Sequence, residues 1–147
     1  MSTGPEGEIR CEARLENLEY FRAFVEQACR KSGGDPDACF ALKLAVDEAC
    51  TNIVLHGFRG VPPGEIALAF QDEGERLVVT ITDGAAPFAP EKIPAPDRAP
   101  GWEERAHSGL GWHLIQRTMD SVEYRPDAEK GNRLVLAKRK RSAGTSP

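Results

Sequence analysis

The chain has 147 residues, enough for one hydrophobic core and too few for two. Its 40% hydrophobic content excludes a disordered or collagen-like chain. With 19 basic groups against 23 acidic ones and a formal net charge of −4, it gains little from a phosphate backbone, so no direct nucleic-acid partner is expected.

Residues Glu8 to Arg14 alternate, with Ile9, Cys11 and Ala13 on one side, which predicts a half-buried opening strand. Leu18, Phe21, Val25 and Ala28 recur at helical steps and predict an amphipathic helix that Gly33-Gly34 ends. Asp35 as N-cap and Pro36 in the first turn restart a helix, which runs through Leu42, Val46, Ala49 and Ile53 toward His56-Gly57. After Pro62-Pro63-Gly64, the alternating sets Ile66/Leu68/Phe70 and Leu77/Val79/Ile81 predict a hairpin turning at Asp72-Glu73-Gly74. The stretch from Asp83 to Ser108 is rich in Pro, Ala, Gly and charge and is longer than most loops in compact domains, which predicts a lid over about 89–108. A helix is expected from near Gly111, then two closing strands, Ser121 to Arg125 and Arg133 to Lys140. The terminal run Lys138 to Arg141 reads as a solvated chain end, followed by a flexible tail at 142–147.

Helices and hairpins in this order lack strict βαβ alternation. The expected fold is a two-layer α/β (α+β) sandwich, a mostly antiparallel mixed sheet with helices on one face, in a single domain spanning 1–141. The four cysteines form no CxxC pair and no zinc-type cluster; each reads as a small buried hydrophobe in a reducing compartment. No apolar run reaches the roughly 18–20 residues that span a bilayer, and the polar start is unlike a secretory signal, so a cytoplasmic protein with no membrane contact is expected.

Three stretches carry chemistry. Glu48, Asn52 and His56 fall at i, i+4 and i+8 on the second helix and project from one stripe among apolar neighbours. A carboxylate that accepts a proton beside a neutral amide oxygen suits magnesium-nucleotide chemistry; the plainer reading is a polar helix edge. Asp83-Gly84-Ala85-Ala86-Pro87-Phe88 follows a strand, where a carboxylate could accept a hydrogen bond from an exocyclic amine such as that of adenine; alone, Asp-Gly is a turn. Gly109-Leu110-Gly111 opens a helix, where unpaired backbone N–H groups favour phosphate, although a lone GxG is a weak signal.

Together, Glu48-Ala49-Cys50-Thr51-Asn52-Ile53-Val54-Leu55-His56-Gly57, Asp83 to Phe88, and Gly109 to Gly111 with Leu114-Ile115 resemble the N box and the two glycine boxes of the GHKL ATPase superfamily. The resemblance spans nearly the whole chain and is strongest to the bacterial anti-sigma-factor serine/threonine kinases. It implies a Bergerat ATP-binding fold. It also implies ATP and Mg2+ as cofactors, with Glu48 as general base and Asn52 as magnesium ligand. Asp83 would take the adenine amine, with His56, Ala85, Phe88 and Leu110 also lining the nucleotide site. Gly109 and Gly111 would meet phosphates, and Arg105 would contribute from the lid. Where the family commonly has Asp-x-Gly, this chain has Ala85, which narrows the approach to adenine. Trp112 and His113 stand where smaller residues are frequent and are expected to pack on the lid.

The same resemblance implies a kinase that phosphorylates a small anti-anti-sigma (STAS-type) protein, sequesters a sigma factor and pairs as a homodimer. The alternative is an ATP-binding regulatory module or adaptor without phosphoryl transfer.

Overall fold

The computed structural model describes residues 7–87 and 110–141. In chain order the elements are β1 (Gly7–Glu12), α1 (Leu18–Lys31), α2 (Pro36–Asn52), a π turn (Ile53–Gly57), β2 (Glu65–Asp72), β3 (Arg76–Asp83), α3 (Leu110–Thr118), β4 (Ser121–Arg125) and β5 (Asn132–Arg139). A short 3-10 turn, Leu15–Asn17, leads into α1. The strands form one sheet in the order β1-β2-β3-β5-β4, antiparallel at every pairing. Because β5 lies between β3 and β4, the last hairpin folds back and puts Asn132 opposite Asp83.

The pleat separates the two faces of the sheet. Ile66, Leu68, Phe70, Leu77, Val79, Ile81, Leu134 and Leu136 point to one side and join Phe21, Val25, Leu42, Val46 and Ile115 of the helices in a single core. Fully buried Phe21, Phe70, Leu42 and Leu136 show where the layers meet. Burying such a side chain is worth about 1.5–3 kcal/mol, so this layer carries the fold.

Local chemistry sets the element ends. Asp35 Oδ1 accepts the Ala38 N–H at 2.7 Å and caps α2, with Pro36 next to it as the sequence implies. Gly34 is tightly enclosed: a Cβ there would lie 2.5 Å from Cys29 Sγ and 3.1 Å from both Cys39 Sγ and Leu77 Cδ1. All four cysteines are free thiols; Cys29, Cys39 and Cys50 are buried and Cys11 is partly so.

Within the basic run at the end of β5, Arg139 and Arg141 are exposed as expected, but Lys140 departs from the expected solvated end. Lys140 Nζ pairs with Asp72 at 2.9 Å, its N–H donates to Glu75 O at 3.0 Å, and its carbonyl accepts the Asp35 N–H at 2.7 Å. The strand continues far enough for Lys140 to be pinned between the β2–β3 turn and the start of α2. Among the described residues, no helix is long and apolar enough to cross a membrane.

Candidate functional site

Glu48 and Asn52 stand one turn apart near the end of α2, and buried Val46 and Cys50 anchor the opposite side of the helix. The start of α3 rests against them. A Cβ on Gly111 would lie 2.5 Å from Glu48 Oε1 and 3.6 Å from Asn52 Nδ2, so the missing side chain is what leaves room for the carboxylate. Gly111 is in the first turn of α3, where backbone N–H groups have no partner within the helix. Burial, followed by the neighbouring charge of Asp47, pushes the Glu48 carboxyl above the usual glutamate range. A carboxyl so shifted, beside an amide, is suited to taking up a proton.

The second group is built across the β3–β5 register. Asp83 and Asn132 are direct partners on the helix-bearing face. Asn132, only 3% exposed, donates from Nδ2 to Asp83 Oδ1 at 3.0 Å and to Ala85 O at 2.8 Å, while its Oδ1 accepts the Asp127 N–H at 3.1 Å. Asp83 Oδ1 also accepts the Ala85 N–H at 2.8 Å. Among the described residues these bonds engage Oδ1 and leave Oδ2 available to a donor. Burial raises the Asp83 carboxyl, against the pull of the Asn132 and Ala85 donors. Gly131 makes the approach possible: its φ is +94°, and a Cβ there would lie 2.9 Å from Asp83 O.

The loop after β3 is joined to the end of the long helix. The Ala86 N–H donates to Gly57 O at 3.2 Å, and a Cβ on Gly57 would lie 2.8 Å from Ala85 Cβ. Ala85 is therefore turned against the helix end, and it is buried. Here the structure corrects the expected ladder. The α-helix stops at Asn52 and its last turn is a π turn, in which hydrogen bonds span one more residue. His56 accordingly leaves the stripe of Glu48 and Asn52, and its Nδ1 meets Arg59 Nη2 at 2.8 Å.

The structure thus brings Glu48 and Asn52 to Gly111, and joins Asp83 and Ala85 to the helix end through Gly57. Leu110 is the first residue of α3. Phe88, Arg105, Gly109 and the expected lid at 89–108 lie outside the described residues. Trp112, expected to pack on the lid, is buried in the core, its ring edge-on to Tyr124 with centroids 6.2 Å apart. Asn132 was not singled out from the sequence as part of the site. Its signal was there: a polar residue at an inward position of a strand whose other inward positions include Leu134 and Leu136, directly after a glycine.

A five-stranded antiparallel sheet thus carries helices on one face, with a carboxylate and an amide on one helix against a glycine at the start of another. Residues 11–138 match the family model described as the histidine kinase-like ATPase domain, and the chain belongs to that family. The resemblance read from the three boxes therefore holds. The chain is 29% identical over 124 residues to the serine-protein kinase RsbW of Bacillus cereus (strain AH187), covering 82% of this chain and 77% of that protein. It is 27% identical over 133 residues to RsbW of Bacillus licheniformis, covering 82% and 78%. Two solved structures share the fold. The histidine kinase domain of the blue-light activated histidine kinase from Erythrobacter litoralis superposes with a TM-score of 0.54 at 16% identity over 83% of this chain; the match spans 60% of that chain's length. The catalytic domain of histidine kinase ThkA gives a TM-score of 0.51 at 15% identity, covering 91% of this chain and 99% of that one.

Proposed function

We propose that this chain is an ATP-dependent serine/threonine-protein kinase of the anti-sigma-factor type, which phosphorylates a small anti-anti-sigma protein and sequesters a sigma factor. The observation that carries the reading is the meeting of Glu48, Asn52 and Gly111 at one place, a base, a neutral oxygen donor and a bare helix start. The two relatives named as serine-protein kinases support it over most of the chain's length.

In this reading Glu48 accepts the proton of the attacking serine or threonine hydroxyl, which its raised carboxyl pKa favours. Asp83 accepts the adenine amine on Oδ2, the oxygen left over by Asn132 and Ala85. Ala85, Leu110 and Phe88 line the nucleotide, the backbone at Gly109 and Gly111 meets phosphates, and Arg105 adds a charge-assisted contact. Magnesium fits the donor set, because the neutral amide oxygen of Asn52 suits a hard cation that also takes phosphate oxygens. When bound, the ion neutralises charge on the phosphate oxygens. We read residues 1–141 as one such domain, acting in the cytoplasm as a homodimer.

The test is incubation with γ-labelled ATP, magnesium and STAS-type proteins encoded beside the gene. Label on a serine or threonine of the partner, lost in Glu48→Gln, supports the kinase. Tight ATP binding by the wild-type chain with no label transferred to any of them favours a regulatory module.

A further inference from the structure

Four free thiols are nucleophiles that the nucleotide site does not use, and two of them meet. Cys29 is in the last turn of α1 and Cys39 in the first turn of α2, on either side of the connection at 32–35. Gly34 in that connection joins them. Its N–H donates to Cys29 O at 3.0 Å, and its carbonyl accepts the Cys39 thiol, with Sγ 3.6 Å from the oxygen. A Cβ on Gly34 would lie 2.5 Å from Cys29 Sγ and 3.1 Å from Cys39 Sγ, so both sulfurs stand within 3.1 Å of one point.

The two helices are held in register beyond the pair. Lys43 Nζ donates to Glu26 Oε1 at 2.9 Å, and Arg22 Nη1 donates to Asp47 Oδ1 at 2.8 Å. A disulfide requires residues that are already close, and sulfurs gathered at one point on two registered helices meet that requirement. The two thiols differ in access. Cys39 is 7% exposed and Cys29 is 0% exposed, beneath a glycine that is itself only half-buried. Burial, followed by the hydrogen bond with Cys39, pushes the Cys29 thiol far above the usual cysteine range, so Cys29 is not the first of the two to react.

We propose that Cys29 and Cys39 are a redox-sensitive dithiol that a hydroperoxide closes to a disulfide, stapling α1 to α2. Cys39 sulfur attacks one peroxide oxygen; an S–O bond forms, the O–O bond breaks, and the departing hydroxide leaves as water with the thiol proton. The sulfur has then lost two electrons to the peroxide. Cys29 sulfur attacks Cys39 sulfur; the S–S bond forms, the S–O bond breaks, and the second hydroxide leaves as water with the Cys29 proton. Two thiols and one peroxide thus give one disulfide and two waters, and a dithiol reductant reverses the staple. The proposal does not depend on the nucleotide site, because Glu48 and Asn52 lie at the far end of α2.

The full chain is treated with hydrogen peroxide, digested with trypsin and analysed by mass spectrometry without reduction. Cleavage after Arg22, Arg30, Lys31 and Lys43 puts Cys29 and Cys39 in separate peptides, and neither contains Cys11 or Cys50. We expect those two peptides joined, lighter by two hydrogens than their sum and parted by dithiothreitol. The oxidised protein should melt about 5 °C or more above the reduced one, because the staple restricts the unfolded chain. Cys39→Ala should give no crosslink, and Cys11→Ser should crosslink as wild type does. The proposal fails if Cys39 accumulates as a sulfinic acid with no crosslink, or if the disulfide joins another pair or two chains. It fails equally if all four thiols survive peroxide in the folded protein, or if the crosslinked form melts no higher than the reduced one.

Discussion

Ala85 Cβ lies 2.8 Å from where a Cβ on Gly57 would be, so the alanine in the loop after β3 and the glycine at the end of the π turn occupy one shared space. Ala85 is buried and is held by bonds at both its N–H and its carbonyl, which fixes the backbone just after Asp83. The methyl group that narrows the approach to adenine in the sequence is thus accommodated against the helix end. Gly57→Ala should destabilise the protein by about 1–3 kcal/mol through overpacking. Adding Ala85→Gly should recover most of the loss. A double-mutant cycle by chemical denaturation checks this, and an additive pair would show that the two positions do not share the space.

Gly111→Ala separates function from stability. The added methyl meets the far end of a flexible side chain, Glu48 Oε1, which can swing away at little cost. The melting temperature should change by no more than a few degrees, as expected for a stability change below about 1 kcal/mol. The rate of phosphoryl transfer should fall at least about tenfold, because a general base must sit within hydrogen-bond reach of the proton it takes. Calorimetry and single-turnover transfer, measured on the same preparation, give the two numbers.

The layers of the fold were legible because each rests on a periodic signal. Ile66/Leu68/Phe70 and Leu77/Val79/Ile81 alternate, and each set is buried on the helix side. Glu48 and Asn52 were legible for the same reason, since four residues along an α-helix return to one face. His56 was misplaced on the stripe because a π turn leaves no mark in hydrophobic spacing. Lys140 read as solvent-exposed because its partner Asp72 lies 68 residues away in the chain, and no local pattern announces such a pairing. Asn132 was passed over on similar grounds, as its partner Asp83 is 49 residues distant.

Asn132→Leu tests the polar bridge between β3 and β5. Leucine fills a similar volume but leaves the Asp127 N–H and the Ala85 carbonyl without their partner and removes one of the two donors to Asp83 Oδ1. An unsatisfied buried group costs about 1–3 kcal/mol, and the carbonyl of buried Ala85 is one, so a clear loss of stability is expected by urea denaturation. ATP affinity should fall further than stability explains, since the carboxylate offered to adenine would lose its orientation. Asn132→Asp should weaken nucleotide binding even where the fold survives, because a second carboxyl would face Asp83.

Gly34→Ala probes the core away from the site. The new methyl would enter between Cys29 Sγ, Cys39 Sγ and Leu77 Cδ1, all in the packed interior, and none of them has open space to move into. A loss of about 1–3 kcal/mol is expected, with ATP affinity unchanged wherever the protein remains folded. Denaturant melts with and without nucleotide separate the two effects.

The pH dependence of Glu48 follows from the direction of its shift. Burial holds its folded-state pKa above the unfolded glutamate value of about 4.3, so its contribution to stability is complete below that value and is lost as pH rises through the raised pKa. At neutral pH the ionised carboxylate is therefore a cost to the fold, and Glu48→Gln should melt higher than wild type there. The gap should close as pH falls below about 4, where wild-type Glu48 is protonated as well. Phosphoryl transfer runs the other way, because a general base works only when ionised. The acid limb of its pH–rate profile should lie above the range of an ordinary glutamate, and Glu48→Gln should abolish transfer while leaving ATP binding in place. Melting curves across pH and a pH–rate profile measure these opposite slopes; a Gln variant less stable than wild type at neutral pH would mean the carboxylate is held by partners that outweigh its desolvation.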